Sequence, residues 1–175
     1  MFGRIENMDI ALFYWLCERL DHPFLVQAAR AFSALGEWVS YVVLLPLFMF
    51  LFHSHSCFHL YYLLFLSLLI ENTIYVVLKR SCRRSRPYNK LVDVFRFVNP
   101  PDQYSFPSGH TSSAFCLANA LNHWFPQYGL LLFALASCMG LSRVILRVHF
   151  PLDVISGAAL GIVTSQLVFL FSGSL

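Results

Sequence analysis

The stretch LDVISGAALGIVTSQLVFLF at residues 152–171 is an apolar run whose single charged residue stands near its start. A helix needs about 20 mostly apolar residues to cross the hydrocarbon core of a bilayer. Three further runs have a similar length and character, at residues 31–52, 57–78 and 128–146. The sequence therefore predicts four membrane-spanning helices.

The composition agrees with a membrane protein. Of the 175 residues, 58% are hydrophobic and only 12% are charged, whereas about a quarter of the residues in a soluble domain are charged. The 18 Phe and 8 Tyr residues also exclude a disordered chain. We expect residues 1–175 to form a single membrane-embedded domain.

Two shorter segments complete the predicted architecture. Residues 109–125 are more polar, but the neighbouring spans require a crossing here, so we predict a fifth span buried inside the bundle. Residues 8–20 are too short to cross and are predicted to lie at the membrane interface, with fusion to residues 23–35 into a sixth span as the alternative. The expected fold is an all-α integral membrane bundle of five to six transmembrane helices with an N-terminal interfacial helix.

The connections bring distant parts of the chain to one face of the membrane. Residues 53–56 and 126–127 are short turns on one side, and residues 79–108 form a long loop on the other. Seven of the twelve Lys and Arg residues fall between Lys79 and Arg96. Counting crossings places the start of the 109–125 span and the end of the 128–146 span at the face of the long loop.

The polar residues at this face suit the binding of a phosphoryl group. Lys79, Arg86 and Arg143 are cations able to hold its oxygens and to neutralise the charge that grows in a transition state. Ser108 stands where a helix begins, so its side chain is expected to cap that helix while the amides of Gly109 and His110 point at the anion.

Two histidines at the same face suit covalent catalysis. Asp153 follows His149 by four residues, and in a first helical turn it is placed to accept a hydrogen bond from one ring nitrogen. The other nitrogen of His149 then remains basic and can attack phosphorus. His110 is placed to protonate the leaving oxygen as a general acid.

The spacing of these residues resembles a known family. Lys79 with Arg86-Pro87, then PSGH at 107–110, then Ser142-Arg143 with His149 and Asp153 look like the three motifs of the type 2 phosphatidic acid phosphatases. That family shares its site with vanadium haloperoxidases and bacterial acid phosphatases. The resemblance implies that His149 becomes phosphohistidine, Asp153 orients it and His110 is the acid. It also implies that the phosphoryl oxygens are bound by Lys79, Arg86, Ser108, Gly109 and Arg143.

The resemblance implies a metal-independent lipid phosphatase without a cofactor, which acts through phosphohistidine on phosphatidylglycerol phosphate, phosphatidate or undecaprenyl diphosphate. Shorter undecaprenyl-diphosphate phosphatases often carry aspartate at the position of Gly109. The alternatives are a lipid phosphotransferase that uses an alcohol acceptor in place of water, a haloperoxidase, and a non-catalytic transporter. The apolar spans argue against the haloperoxidase, because such enzymes are soluble.

The expected partners are a lipid phosphate and the bilayer, with no nucleic acid. We expect a bacterial inner-membrane protein. The resemblance places the site on the extracytoplasmic face, although the excess of positive charge in the 79–108 loop favours the cytoplasmic face.

Several other residues have two open interpretations. Asn72 lies on the helix face of Lys79 and is a candidate to support it, while Glu71 points elsewhere and is expected to pair with a neighbouring helix. Gly157 and Gly161 form a GxxxG pattern, expected to pack within the bundle rather than in a dimer. His53, His55 and His59 are either metal ligands or interfacial histidines. Cations outside the motifs either attract a lipid headgroup or are solvated: Arg80, Arg83, Arg84, Lys90, Arg96 and Arg147.

Overall fold

The computed structural model describes residues 2–36 and 55–172, and in these ranges the regular structure is helical. The helices are α1 (Phe2–Leu20), α2 (Pro23–Leu35), α3 (His55–Cys82), α4 (Pro87–Lys90), α5 (Gly109–Trp124), α6 (Gly129–Ile145) and α7 (Pro151–Ser172), with a 3₁₀ turn at Pro126–Tyr128 before α6.

Three helices in the described part of the chain are long and apolar enough to cross a membrane. They cover Phe58–Cys82, Pro126–Ile145 and Pro151–Ser172, which confirms the spans predicted at 57–78, 128–146 and 152–171. Large apolar side chains on their outer surfaces are exposed, among them Phe65, Leu130 and Ile155. A bilayer would cover such side chains.

Helix α5 lies at the centre of the bundle and packs against α3, α6 and α7. Its 16 residues give a length of roughly 24 Å, which is shorter than the three longer helices. The contact with α7 is especially close, because a Cβ atom on Gly157 would lie 2.5 Å from the carbonyl oxygen of Ser108. The GxxxG pattern is therefore used within the bundle, against the backbone of α5, as the sequence predicted.

At the first two helices, the structure excludes the alternative of a single fused span. Helices α1 and α2 are not fused into one span, because the chain is extended at His22 and α2 restarts at Pro23. The Nδ1 atom of His22 caps this start by accepting a hydrogen bond from the Phe24 amide at 3.3 Å. Proline is well suited to a first helical position.

The predicted span at 31–52 also needs correction at its start. Residues 31–35 belong to α2, which ends at Leu35 with Gly36 as its C-cap. A Cβ atom at Gly36 would lie 2.7 Å from Sδ of Met139, so a glycine here lets the end of α2 approach α6 closely. The remainder of this predicted span lies outside the described residues.

Helix α1 begins well before the predicted boundary at residue 8 and packs against the segment between α6 and α7. The ring of Phe13 is fully buried and lies 5.3 Å from the ring of Phe150 in an edge-to-face contact. Nearby, Val26 and Ala29 of α2 pack against Leu146 and Val148. The first two helices therefore support the chain segment that leads to His149.

Candidate active site

A cavity of about 620 Å³ opens between α2, α3, α5 and the 98–102 segment. Seven of the residues singled out from the sequence line this cavity. They are Asn72, Lys79, Arg86, Gly109, His110, Arg143 and His149. Three distant stretches of chain therefore converge on one pocket, which lies at the end of α3 that contains Lys79.

Arg86 is a fully buried cation at the base of this cavity. Its Nη1 donates to the carbonyl oxygen of Val148 at 2.7 Å and lies 3.3 Å from Nε2 of His149. The rest of its guanidinium contacts Asp102, through Nε to the carbonyl oxygen at 3.2 Å and through Nη2 to the carboxylate at 2.7 Å. These contacts hold the Arg86 fork beside the His149 ring.

The imidazole of His149 is buried with its two nitrogens in different surroundings. Nε2 faces Arg86, while Nδ1 lies 3.7 Å from Oδ2 of Asp153. This separation is longer than a hydrogen bond, so the structure brings the pair together without forming the expected bond. Burial, reinforced by Arg86 and Arg143, lowers the pKa of His149 well below its ordinary value. The ring is therefore neutral near pH 7, the form in which a ring nitrogen can attack phosphorus.

The Asp153 carboxylate is already held by two other groups. Its Oδ2 accepts the Phe150 amide at 2.8 Å, and its Oδ1 accepts Nη1 of Arg84 at 2.6 Å. Asp153 stands in the first turn of α7, where the helix dipole favours a negative charge. The carboxylate is thus fixed against the backbone that leads out of His149.

Lys79 reaches the cavity from the last turn of α3. Its Nζ donates to the hydroxyl of Tyr75 at 2.7 Å and lies 3.0 Å from Oδ2 of Asp102. Asn72, one turn before Tyr75, also lines the cavity, but no direct contact joins it to Lys79 in the described structure. The hydroxyl of Tyr75 and the Asp102 carboxylate therefore orient this ammonium group.

Asp102 joins two of the phosphate-binding candidates. Its carboxylate bridges Lys79 and Arg86 and its side chain is about one-third exposed, at 35%. Burial tends to raise the pKa of Asp102, but the two cations outweigh it and hold that pKa below its ordinary value. A bound phosphoryl group would compete with this carboxylate for the same cations.

The residues of the PSGH segment differ in whether they reach the cavity. Gly109 and His110 line the cavity, whereas Ser108 is fully buried. The Ser108 hydroxyl lies 2.8 Å from the Thr111 hydroxyl and makes no capping bond to the backbone. The expectation that this side chain caps α5 is therefore wrong, because the Ser108 hydroxyl pairs with the Thr111 hydroxyl and not with a backbone amide.

Arg143 completes the cationic wall from the end of α6. It is buried, and its Nη1 donates to the Ser33 hydroxyl of α2. Its carbonyl oxygen accepts the amides of Val148 at 3.2 Å and His149 at 3.3 Å. The residue therefore fixes the backbone before His149 as well as facing the cavity.

Sequence reasoning missed four residues around the site: Asp9, Tyr75, Arg84 and Asp102. Tyr75 precedes Lys79 by four residues on the same helix, a spacing that signals a contact. Asp102 is an acid in a loop rich in Lys and Arg, which is a weaker indication that it contacts these cations. Arg84 was grouped with headgroup-binding or solvated charges, and nothing in the sequence links it to Asp9.

The other residues with open interpretations fall away from the cavity or at its edge. Glu71 is buried and accepts a hydrogen bond from Ser113 of α5 at 3.2 Å, as expected for pairing between helices. Lys90 pairs with Glu6, and Arg147 pairs with Asp21 at 3.0 Å. The His53 to His59 run lies largely outside the described residues, and its member His59 stacks edge-on against Trp124 at 6.1 Å. Within 2–36 and 55–172, no three metal-ligating side chains form a group.

Comparison with known proteins identifies the family. The family model described as PAP2 superfamily matches residues 60–174, about two-thirds of the chain. The chain belongs to the PAP2 superfamily. The matched region contains every residue of the three motifs and excludes α1 and α2.

Two curated relatives in this superfamily are phosphatases by name. Decaprenylphosphoryl-5-phosphoribose phosphatase from Mycobacterium tuberculosis is 36% identical over 57% of this chain and 54% of its own. Lipid A 1-phosphatase from Rhizobium johnstonii is 33% identical over 56% of this chain and 42% of its own. This chain therefore spans about half the length of these relatives.

Solved structures match nearly the whole chain. The crystal structure of LpxE from Aquifex aeolicus has a TM-score of 0.81 and 31% identity, and covers 91% of this chain and 93% of that one. The structure of a PAP2-type phosphatidylglycerolphosphate phosphatase from Bacillus subtilis has a TM-score of 0.82 and 24% identity, and covers 98% of this chain and 88% of that one. The all-helical fold is that of a PAP2 membrane phosphatase.

Proposed function

We propose that this protein is a metal-independent phosphatase that hydrolyses a lipid phosphomonoester or diphosphate through a phosphohistidine at His149. The observation that carries the proposal is the shared cavity. Lys79, Arg86 and Arg143 line it together with His110 and His149, so a phosphoryl group held by the cations lies beside an imidazole. The names of the relatives support a lipid phosphate as the substrate.

The first step is attack on phosphorus by Nε2 of His149, the nitrogen that faces Arg86. A nitrogen–phosphorus bond forms and the bond from phosphorus to the lipid oxygen breaks. The electron pair leaves with that oxygen, which takes a proton from His110. The three cations neutralise the charge on the nonbridging oxygens, and the Asp153 carboxylate stabilises the positively charged ring.

The second step is hydrolysis of the phosphohistidine. His110 now removes a proton from a water molecule, whose oxygen attacks phosphorus. The nitrogen–phosphorus bond breaks, which regenerates neutral His149 and releases inorganic phosphate. Ser108 and Gly109 shape the pocket in this scheme, since Ser108 supports the start of α5 and Gly109 lines the cavity.

The substrate classes we propose are phosphatidylglycerol phosphate, phosphatidate and undecaprenyl diphosphate. All three place a terminal phosphoryl group next to apolar chains. The cavity lies at the Lys79 end of α3, a helix long and apolar enough to cross a membrane. A lipid could therefore present its headgroup to Lys79 while its chains remain in the bilayer.

We propose a single domain with five membrane crossings: the three long apolar helices, the apolar run at 31–52 and the central helix α5. We assign α1 to the interface. Its exposed Ile5, Met8, Leu12 and Trp15 follow helical spacing, while Asp9 and Phe13 on the other face are buried. Such a stripe suits a helix that lies along the membrane surface. The proposed location is a bacterial inner membrane, with the cavity on the extracytoplasmic side.

Purified protein in detergent tests the proposal. We expect release of inorganic phosphate from lipid monophosphates or diphosphates in the presence of a chelator. The His149→Ala variant should lose this release, because no other ring nitrogen has the position of Nε2. Full turnover in that variant would disprove the mechanism. Addition of alcohol acceptors separates the phosphotransferase alternative, which would yield a phosphorylated alcohol instead of phosphate.

A further inference from the structure

Arg84 lies between two buried carboxylates that come from opposite ends of the chain. Its Nη1 donates to Oδ1 of Asp153 at 2.6 Å, and its Nη2 donates to Oδ2 of Asp9 at 2.6 Å. The side chains of Asp153 and Asp9 are 0% and 1% exposed, and that of Arg84 is 18% exposed. This cluster, the Asp9–Arg84–Asp153 triad, connects helix α1 to the carboxylate behind His149.

The triad is held in place by further contacts. The guanidinium of Arg84 lies 4.4 Å from the centre of the Phe150 ring, and Phe13 of α1 packs against the same ring. The second oxygen of Asp9 accepts the Leu152 amide in the first turn of α7 at 2.9 Å. Asp9 and Asp153 therefore take up two of the amides at this helix start, which intrahelical bonds leave unpaired.

The charge of the triad suits the chemistry next to it. Two carboxylates and one guanidinium leave one net negative charge. If Arg84 paired with Asp153 alone, the pair would be neutral and would offer little to a positively charged ring. The second carboxylate, Asp9, restores the negative charge that a phosphorylated imidazole requires, and does so at a buried position where charges interact strongly.

From these contacts we propose that Asp9 and Arg84 are positioning residues for the reaction at His149: they fix the Asp153 carboxylate and supply the net negative charge that stabilises the cationic imidazole. Neither residue lines the cavity, so neither touches the phosphoryl group. They act on the rate of the chemical step through Asp153. Helix α1, which lies outside the region matched by the family model, thereby becomes part of the catalytic apparatus.

This inference rests on the proposed function, and the Asp9→Asn variant tests it. Asparagine keeps an oxygen for the Leu152 amide and removes the charge. We expect kcat for phosphate release to fall about tenfold while KM changes less than about twofold, because the phosphate-binding cations are untouched. A merely structural loss would instead reduce the amount of folded protein without this separation of kcat from KM.

The matched control is Glu6→Gln. Glu6 stands on the same helix and pairs with Lys90, so it also ties α1 to the 79–108 loop but makes no contact with Asp153. We expect its kcat and KM to equal those of the unmodified protein. A tenfold loss in Glu6→Gln as well would overturn the proposal, since docking of α1 alone would then explain both variants.

The double variant Asp9→Asn with Arg84→Gln supplies a second test. If both residues act through Asp153, its kcat will be no lower than that of Arg84→Gln alone. Independent, multiplicative losses would overturn the proposal, as would an unchanged kcat in Asp9→Asn. Failure of the proposed function would look different: the unmodified protein would release no phosphate, or His149→Ala would retain turnover.

Discussion

The ring of Tyr75 occupies the space that a side chain on Gly109 would need. A Cβ atom at Gly109 would lie 2.8 Å from Cζ of Tyr75, closer than non-bonded carbon atoms approach. The same ring carries the hydroxyl that accepts a hydrogen bond from Lys79. Gly109 therefore allows a tyrosine to stand between the PSGH segment and the first phosphate-binding cation.

We accordingly predict that Gly109→Ala lowers kcat/KM about tenfold, which corresponds to roughly 1.4 kcal/mol. The added methyl group must displace Tyr75 and, with it, Lys79. Steady-state phosphate release measures the effect. Gly3→Ala is the matched control, because a Cβ atom at Gly3 meets nothing within 4 Å. Equal activity of both variants would contradict the proposed contact.

Asp102 should weaken the binding of inorganic phosphate, because its carboxylate bridges Lys79 and Arg86. Asp102→Asn removes the competing charge, and we expect inhibition by orthophosphate to become about tenfold tighter. The inhibition constant is measured with a fixed lipid substrate. Asp93→Asn, an exposed acid of the same loop, should behave like the unmodified protein, and an unchanged constant in Asp102→Asn would refute the prediction.

The lowered pKa of His149 predicts a loss of stability on acidification. The unfolded chain gains a proton on this residue below about pH 6.5, whereas the folded chain does not. The stabilisation is therefore complete above that pH and decreases as the pH falls. We expect the thermal midpoint to be lower at about pH 5 than at about pH 8, and this decrease to be smaller in His149→Gln. Identical slopes in the two proteins would be inconsistent with a buried neutral imidazole.

The close approach of α7 to α5 predicts sensitivity at Gly157. A Cβ atom there would meet the carbonyl oxygen of Ser108 at 2.5 Å, and a backbone atom cannot move aside as a side-chain tip can. Gly157→Ala should destabilise the protein by about 1–3 kcal/mol, seen as a lower thermal midpoint in detergent. Ala159→Leu, on the exposed side of α7, should leave the midpoint unchanged. A stable Gly157→Ala variant would argue against the observed packing.

Labelling of Cys82 tests which side of the membrane holds the cavity. This free thiol is exposed and lies at the end of α3 that carries Lys79. If the site is extracytoplasmic, an impermeant thiol reagent added to cells with a permeabilised outer barrier but an intact inner membrane should modify it. Cys82→Ser removes the signal and serves as the control. Labelling only after the inner membrane is broken would place the site in the cytoplasm.

The sequence predicted the apolar helices and the phosphate-binding candidates because both rest on local patterns. The runs at 57–78, 128–146 and 152–171 carry their signal in length and hydropathy alone. The convergence of Lys79, Arg86, His110, Arg143 and His149 followed from counting crossings between these runs. The predicted segments 8–20 and 23–35 already leave a gap at residues 21–22, and a fused span remained an alternative because the apolar character continues on both sides.

The contacts that support the Asp153 carboxylate could not be predicted from the sequence. Asp9 and Arg84 are 75 residues apart, and neither has a periodic or motif relationship to Asp153. Whether a cation in a charged loop is solvated or buried depends on which helix packs over it. Ser108 shows the same limit at short range: a serine at a helix start usually caps the backbone, but here a neighbouring hydroxyl competes successfully.

The dependence of the Asp153 carboxylate on α1 has a consequence for protein engineering. A chimera that keeps residues 21–174 of this protein and takes only α1 from a relative would inherit all the residues that line the cavity, yet its partner for Arg84 would come from foreign sequence. In such hybrids we expect substrate choice to match the protein that supplied the pocket. Turnover should instead depend on the protein that supplied the first helix.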